Sequence, residues 1–202
     1  MRCLDLFCGT KSFTKIALKY GHECDSLDII AKFLPTFCVN IMDWDYKSLP
    51  KNHYDCIWAS PNCKDYSTMN FLSAKTKDLK DSDLLVEKVI EIIEYFDPEY
   101  WYIENPQTGL LKTRPAVFCL PYVVIDYCKY GLDIRKRTAI WTNNNDWIPK
   151  PLCEKNNYCK HKKKDGLHKN MRWITRGGGS SRWENRIFVP EKLIIEIVKS
   201  MA

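Results

Sequence analysis

A chain of 202 residues with 45% apolar and 13% aromatic side chains is long and apolar enough for one domain with a small appendage, and it is not a disordered polymer. No apolar run approaches the roughly 20 residues of a membrane span, and the opening MRCLDLFCGT places Arg2 and Asp5 where a secretory leader is continuously apolar; an intracellular protein (cytoplasm or nucleus), with no membrane partner, is expected. The net charge of +6 is concentrated in one place: residues 150–186 hold 11 Lys/Arg against 3 Asp/Glu, so a phosphate-bearing partner, nucleic acid first, is expected there.

Taken in chain order, residues 2–7 read as a buried strand running into a turn at Gly9. Ser12 is placed to cap a helix with Phe13, Ile16, Ala17 and Tyr20 at helical spacing, and Gly21 stops it. Residues 22–29, 36–41 and 54–59 read as three further strands, the last running into the turn Ser60-Pro61-Asn62-Cys63. Residues 64–82 are polar and carry no clear period, so a long loop or frayed helix is expected. Asp81, Ser82 or Asp83 then starts a helix to about Phe96, with Leu85, Val89, Ile92, Ile93 and Phe96 on one face and Pro98 as its breaker. Strands follow at 100–103 (ending at Glu104), 122–127 and 137–141, and Pro190 begins a terminal helix with Leu193, Ile194, Ile197 and Val198 inward.

This alternation predicts an α/β fold, a doubly wound parallel sheet built from βαβ units. Such sheets bind ligands at the carboxyl ends of their strands. Those ends carry Phe7–Gly9, Asp28, Asn40–Ile41, Ser60–Cys63 and Glu104–Pro106.

The residue types at those ends suit chemistry. Gly9 lets backbone approach a ligand, although a single Gly is not the three-glycine dinucleotide fingerprint. Asp28, about 20 residues on, stands where an acid holds ribose hydroxyls. Cys63, in a tight turn, is a nucleophile candidate, and Glu104 a proton donor if held in a dry site. Arg135 and Arg137 flank Lys136 and therefore share one strand face, where they can grip a carbonyl oxygen or phosphates. Most of the other nine cysteines (Cys3, Cys8, Cys24, Cys38, Cys56, Cys119, Cys128) fall in apolar runs and read as buried thiols in a reducing compartment.

Asp-Leu-Phe-Cys-Gly, Ser-Pro-Asn-Cys, Glu-Asn-Pro and Tyr-Gly followed by Arg-Lys-Arg resemble, in order, the signature blocks of DNA (cytosine-5) methyltransferases, and Arg186-Ile187-Phe188-Val189-Pro190 is similar to the last block. The match covers about residues 1–143 and 180–202 and looks closest to the short forms of large DNA viruses and phages. The resemblance implies a Rossmann-like methyltransferase sheet and S-adenosylmethionine as methyl donor. Phe7, Gly9 and Thr10 would line the donor's methionine end, with Pro61 nearby. Asp28 would hold its ribose, Ile29 would pack on the adenine, and Asn40 and Ile41 would bound the adenine edge. Cys63 would add to C6 of a cytosine flipped out of double-stranded DNA, Glu104 would serve N3, and Arg135 and Arg137 would hold the base near O2.

Several positions depart from the family pattern. Asn62 replaces the second Pro of Pro-Pro-Cys, Lys64 replaces a favoured Gln and is placed either to lower the thiol pKa or to contact phosphate, Thr10-Lys11-Ser12 replaces a glycine pair, and one residue is missing between Gly131 and Arg135. Two other readings stay open: a tRNA cytosine-5 methyltransferase, and a catalytically degenerate relative that binds DNA.

The expected organisation is a catalytic core over 1–143, a short basic target-recognition segment over 144–185, and a C-terminal helix over 186–202 that packs back on the core. In the basic segment, Arg172, Arg176 and Arg182, interleaved with Trp173 and Trp183, are candidates for nucleic-acid contact. Cys153, Cys159, His161 and His168 are spaced C-x5-C-x-H-x6-H, wider at the first step than the usual two to four residues of a zinc site, so a metal-free loop is expected.

Overall fold

The computed structural model describes residues 1–66, 79–154, 159–161, 168 and 188–201. Seven strands form one sheet: β1 (Arg2–Leu6), β2 (Glu23–Asp28), β3 (Phe37–Cys38), β4 (Cys56–Ala59), β5 (Tyr100–Pro106), β6 (Tyr122–Asp126) and β7 (Arg137–Thr142). Their order is β3-β2-β1-β4-β5-β7-β6. The first five are parallel, and β7 inserts antiparallel between β5 and β6. The sheet is therefore mixed at one edge, where the expectation was wholly parallel.

Both faces are covered, and strand alternation assigns each residue to one of them. Leu4, Leu6, Ile57, Ala59 and Ile103 pack against α2 (Lys80–Phe96) through Val86, Val89, Ile92, Ile93 and Phe96. Cys3, Cys56, Trp58, Tyr102 and Ile140 face the other way. There they meet α1 (Ser12–Lys19) and the C-terminal helix, which is α4 (Glu191–Lys199) once the short α3 (Pro115–Phe118) is counted. Phe13 of α1 stacks on Trp58 with centroids 5.4 Å apart. Leu193, Ile194, Ile197 and Val198 are buried as the spacing predicts. No helix among the described residues is long and apolar enough to cross a membrane.

Three boundaries differ from the sequence reading, each for a local reason. Strand β3 is only two residues long, because Asn40 turns the chain: its carboxamide oxygen accepts the Met42 N–H and its carbonyl accepts the Asp43 N–H. Strand β5 continues past Ile103, where its pairing with β4 ends, because β7 pairs with it from the other side as far as Pro106–Thr138. Ser12 is the first residue of α1 and does not cap it; Lys11 holds the cap position in a left-handed conformation.

The capping role falls to Asp5, across the turn. Its buried carboxylate accepts both the Thr14 N–H (3.1 Å) and the Thr14 hydroxyl (2.5 Å). Burial pushes the Asp5 carboxyl up to about 7, against the pull of these hydrogen bonds. The folded chain thus holds a proton between about pH 4 and pH 7 that the unfolded chain has released, and stability falls as pH rises through that window. At about 1.4 kcal/mol per pH unit the full effect is of order 4 kcal/mol. Asp5→Asn keeps an acceptor for Thr14 and removes the fall. Its urea midpoint gains on that of the parent between pH 4 and pH 8; a difference that stays flat across that range contradicts the assignment.

Candidate active site

The sheet order reverses between β1 and β4, so their following loops diverge and open a crevice at their carboxyl ends. The turn after β1 is wound through three left-handed residues, Phe7 (φ 58°), Gly9 (φ 46°) and Lys11 (φ 59°). Glycine adopts this conformation freely, whereas at Phe7 and Lys11 it costs about 1–3 kcal/mol each. Hydrogen bonds hold the turn in place: Cys8 N–H to the Leu27 carbonyl (3.1 Å), Lys11 N–H to the Cys8 carbonyl (2.7 Å), and the Lys11 ammonium to the Leu34 carbonyl. The Thr10 hydroxyl lies 3.3 Å from that of Ser12.

Asp28 ends β2 beside this turn and is buried. Its two carboxylate oxygens accept the Gly9 N–H and the Ile30 N–H, each at 2.9 Å. Each oxygen keeps a further lone pair. Ile29, the next residue, is 65% exposed, a large apolar side chain left at the rim of the crevice. Asn40 is half-buried and occupied with its own turn, and the Ile41 side chain lies within the core.

On the other side of the crevice the turn after β4 carries Cys63. Two side chains fix it. The Asn105 carboxamide donates to the carbonyl of buried Pro61 (3.0 Å), tying the turn to β5. The Asn62 carboxamide oxygen accepts the Lys64 N–H (3.0 Å), so an asparagine turn supplies the rigidity expected of a second proline. Cys63 is half-buried and the Lys64 side chain is exposed.

Glu104 is buried in β5, one residue beyond the end of β4. Its Oε1 accepts the Tyr127 hydroxyl (2.7 Å) and is 3.2 Å from the Lys136 ammonium, with side chains only 8% and 11% exposed. Burial first, then the Glu104 charge, push the Tyr127 phenol far up, and Cys63 adds to that effect. The phenol therefore stays protonated and donates to Glu104, and the Asn105–Pro61 hydrogen bond ties the turn of Cys63 to the residue next to Glu104.

Arg135 and Arg137, expected at the base, turn elsewhere. Both guanidiniums bind Asp126 of β6, a side chain with 0% exposure: Arg137 doubly (3.0 and 2.8 Å), Arg135 once (3.3 Å). Burial alone would raise the Asp126 carboxyl, but the Arg137 hydrogen bonds, the Cys153 N–H and the two cations outweigh it and leave it below the usual carboxylate range. The geometry is that of a strand. Arg137 lies directly opposite Asp126, and Glu104 lies opposite Ile140, so Glu104 shares its face with the even-numbered residues of β7 and with Lys136 just before it. Sequence reasoning found the shared face of the two arginines but missed Lys136, whose signal was the missing residue upstream, and Tyr127, which carried none.

Arg172, Arg176, Arg182, Trp173 and Trp183 lie outside the described residues, as do residues 67–78. Hydrogen bonds join the described residues on either side of that interval. Tyr66 donates to Asp83, which also binds Arg114, and Ser82 donates to Asp65.

No protein-family model matches the chain. A curated protein of Frog virus 3 (isolate Goorha), named "Probable DNA (cytosine-5)-methyltransferase", is 32% identical over 217 residues, which cover 98% of this chain and 99% of that protein. Among solved structures, the Entamoeba histolytica methyltransferase EhMeth superposes with a TM-score of 0.53 at 15% identity, over 90% of this chain and 61% of that one. The S. pombe Dnmt2 methyltransferase superposes with a TM-score of 0.50 at 14% identity, over 92% of this chain and 63% of that one. At such identities the two structures speak to the fold, and the chain spans less than two thirds of their length.

Proposed function

The chain belongs to the DNA (cytosine-5)-methyltransferase family and is a methyltransferase; we propose that it transfers a methyl group from S-adenosylmethionine to C5 of cytosine in DNA through a covalent adduct on Cys63. The observation that carries this reading is that the turn bearing Cys63 is tied by Asn105 to the end of β5, where Glu104 is held by Tyr127 and Lys136, next to the crevice floored by Gly9 and Asp28.

The crevice residues suit the donor. The exposed Ile29 offers an apolar surface for adenine, the free lone pairs of Asp28 suit ribose hydroxyls, and the turn from Phe7 through Thr10 borders the methionine end. Asn40 and the backbone at Ile41 would border the adenine edge, and Pro61 would bound the donor on the side of Cys63. When bound, S-adenosylmethionine supplies the methyl group as an electrophilic sulfonium.

Cytosine C5 is a poor nucleophile until electrons are pushed into the ring. The Cys63 thiolate adds to C6, forming an S–C bond and moving the C5–C6 pair onto C5 as an enamine. Glu104, steadied by the Tyr127 hydroxyl, shares a proton with N3 so that charge does not accumulate on the ring. The Lys136 ammonium, fixed beside Glu104, faces the developing negative charge near O2, the role sequence reading gave to the arginines. C5 takes the methyl group, its proton leaves to solvent, and elimination restores the Cys63 thiolate and the aromatic ring. A base in duplex DNA leaves the stack to enter such a pocket. We assign the phosphate contacts that hold the duplex to Lys64 and to the basic segment with Arg172, Arg176 and Arg182.

The test is a parallel incubation of the protein and tritiated donor with duplex DNA and with tRNA, followed by bisulfite sequencing of the labelled DNA. Label in DNA that maps to cytosine C5 is expected. Label in tRNA alone overturns the choice of polymer, and tight donor binding without label in either overturns the activity.

A further inference from the structure

We propose that Cys128, Cys153, Cys159 and His168 form a structural zinc site that fastens the basic segment to the catalytic core. Their ligand atoms all lie within 4.8 Å of one another. His168 Nε2 is 3.6 Å from Cys153 Sγ and 3.3 Å from Cys159 Sγ. Tetrahedral zinc, with Zn–S of about 2.3 Å and Zn–N of about 2.0–2.1 Å, sets neighbouring ligand atoms about 3.6–3.8 Å apart. The side chains thus need to move by no more than about an ångström to close on an ion.

The donor set decides the metal. Three thiolates and one imidazole suit zinc, whereas magnesium and calcium take oxygen ligands. All three cysteines are buried and free, and they form a small cluster apart from the two apolar cores. Binding releases the thiol protons to solvent and leaves the site with a single net negative charge, in the most basic stretch of the chain. His161, which the sequence spacing had grouped with Cys153, Cys159 and His168, is diverted to Asp133 (2.8 Å). Cys128 replaces it from 25 positions before Cys153, a separation that no local motif reveals.

The position of the site gives it a purpose. Cys128 follows Tyr127, the residue that holds Glu104, in a 3-10 turn. The Cys153 N–H donates to Asp126 (2.9 Å), the same carboxylate that binds Arg135 and Arg137. The ion therefore joins the start of the segment expected to meet DNA to the turn that forms the active-site wall. Such a metal contributes directly to folding in a chain with a small local core.

The experiment measures metal in the full-length protein purified without chelator. One zinc per chain is expected by mass spectrometry, released in step with mercurial titration of the thiols. Cobalt substitution is expected to give the intense thiolate-to-metal absorption of a tetrahedral sulfur-rich site. Cys128→Ser and Cys153→Ser lose the metal. His161→Ala and the exposed Cys119→Ser keep it, and His168→Cys, which preserves four ligands, also keeps it and guards against simple misfolding of the other variants. Protein with less than a tenth of an equivalent of zinc and no cobalt–thiolate band overturns the proposal. So does loss of metal from His161→Ala with retention in Cys128→Ser.

Discussion

A Cys63→Ala protein binds the methyl donor with unchanged affinity and transfers no methyl group to DNA. The two halves of this result come from separate parts of the crevice. Donor contacts are assigned to the β1 turn and the ends of β2 and β3, with Pro61 alone from the turn after β4, whereas Cys63 stands further along that turn, half-buried, where loss of one sulfur leaves no enclosed cavity. The turn itself is held by Asn105 and Asn62, neither of which depends on the thiol. Without the thiolate the C5–C6 pair cannot be driven onto C5, and the rate falls by at least about 10³-fold, the scale seen when a covalent nucleophile is removed. Calorimetry with the demethylated donor product and tritium incorporation into DNA measure the two halves. Undiminished transfer would end the covalent mechanism, and lost donor binding would mean that Cys63 belongs to the cofactor site.

The second large effect separates Lys136 from its neighbours. Lys136→Ala lowers kcat by about 10²-fold with little change in KM for donor, because a fixed cation aimed at developing charge acts mainly in the transition state. Lys136→Arg restores much of the loss, since it returns a cation to Glu104. Glu104→Gln costs about 10²–10³-fold, the usual worth of a positioned acid. Arg137→Ala acts through stability. Removing the doubly bonded partner leaves the Asp126 carboxylate buried with only Arg135 and the Cys153 N–H. A cost of about 2–3 kcal/mol lowers Tm by roughly 4–12 °C in a chain of this size. If Arg137→Ala lost turnover at unchanged Tm while Lys136→Ala remained active, the assignment would be reversed.

This division was only half legible in the sequence. Arg-Lys-Arg announced two guanidiniums on one side, and both do meet Asp126, although β7 itself begins only at Arg137. Which side faced Glu104 depended on register, and a one-residue change in length exchanges the faces of a strand. The stretch between Gly131 and Arg135 is one residue short of the family pattern, and the Lys136 ammonium stands where an arginine was expected. The strands were legible wherever both faces are buried, because a continuous apolar run marks them. The β3 edge was overread because its end is set by the Asn40 turn rather than by hydrophobicity. The cap of α1 was misplaced because its acceptor, Asp5, comes from the preceding strand. One member of the proposed zinc site escaped for a related reason: Cys128 reads as one more buried thiol until the fold brings it to Cys153, Cys159 and His168.

Helix α4 closes one whole side of the sheet, covering α1 along with Trp58, Tyr102 and Ile140. Trp147 and Tyr130 also send their polar hydrogens to Glu196 of that helix, and the Val189 N–H reaches back 177 positions to the Ser12 hydroxyl. A nascent chain that has been synthesised through β7 therefore still shows water a broad aromatic surface. A premature stop codon between β7 and residue 190 leaves that surface uncovered and favours aggregation over a smaller catalyst, and in a cell such products become work for chaperones and proteases.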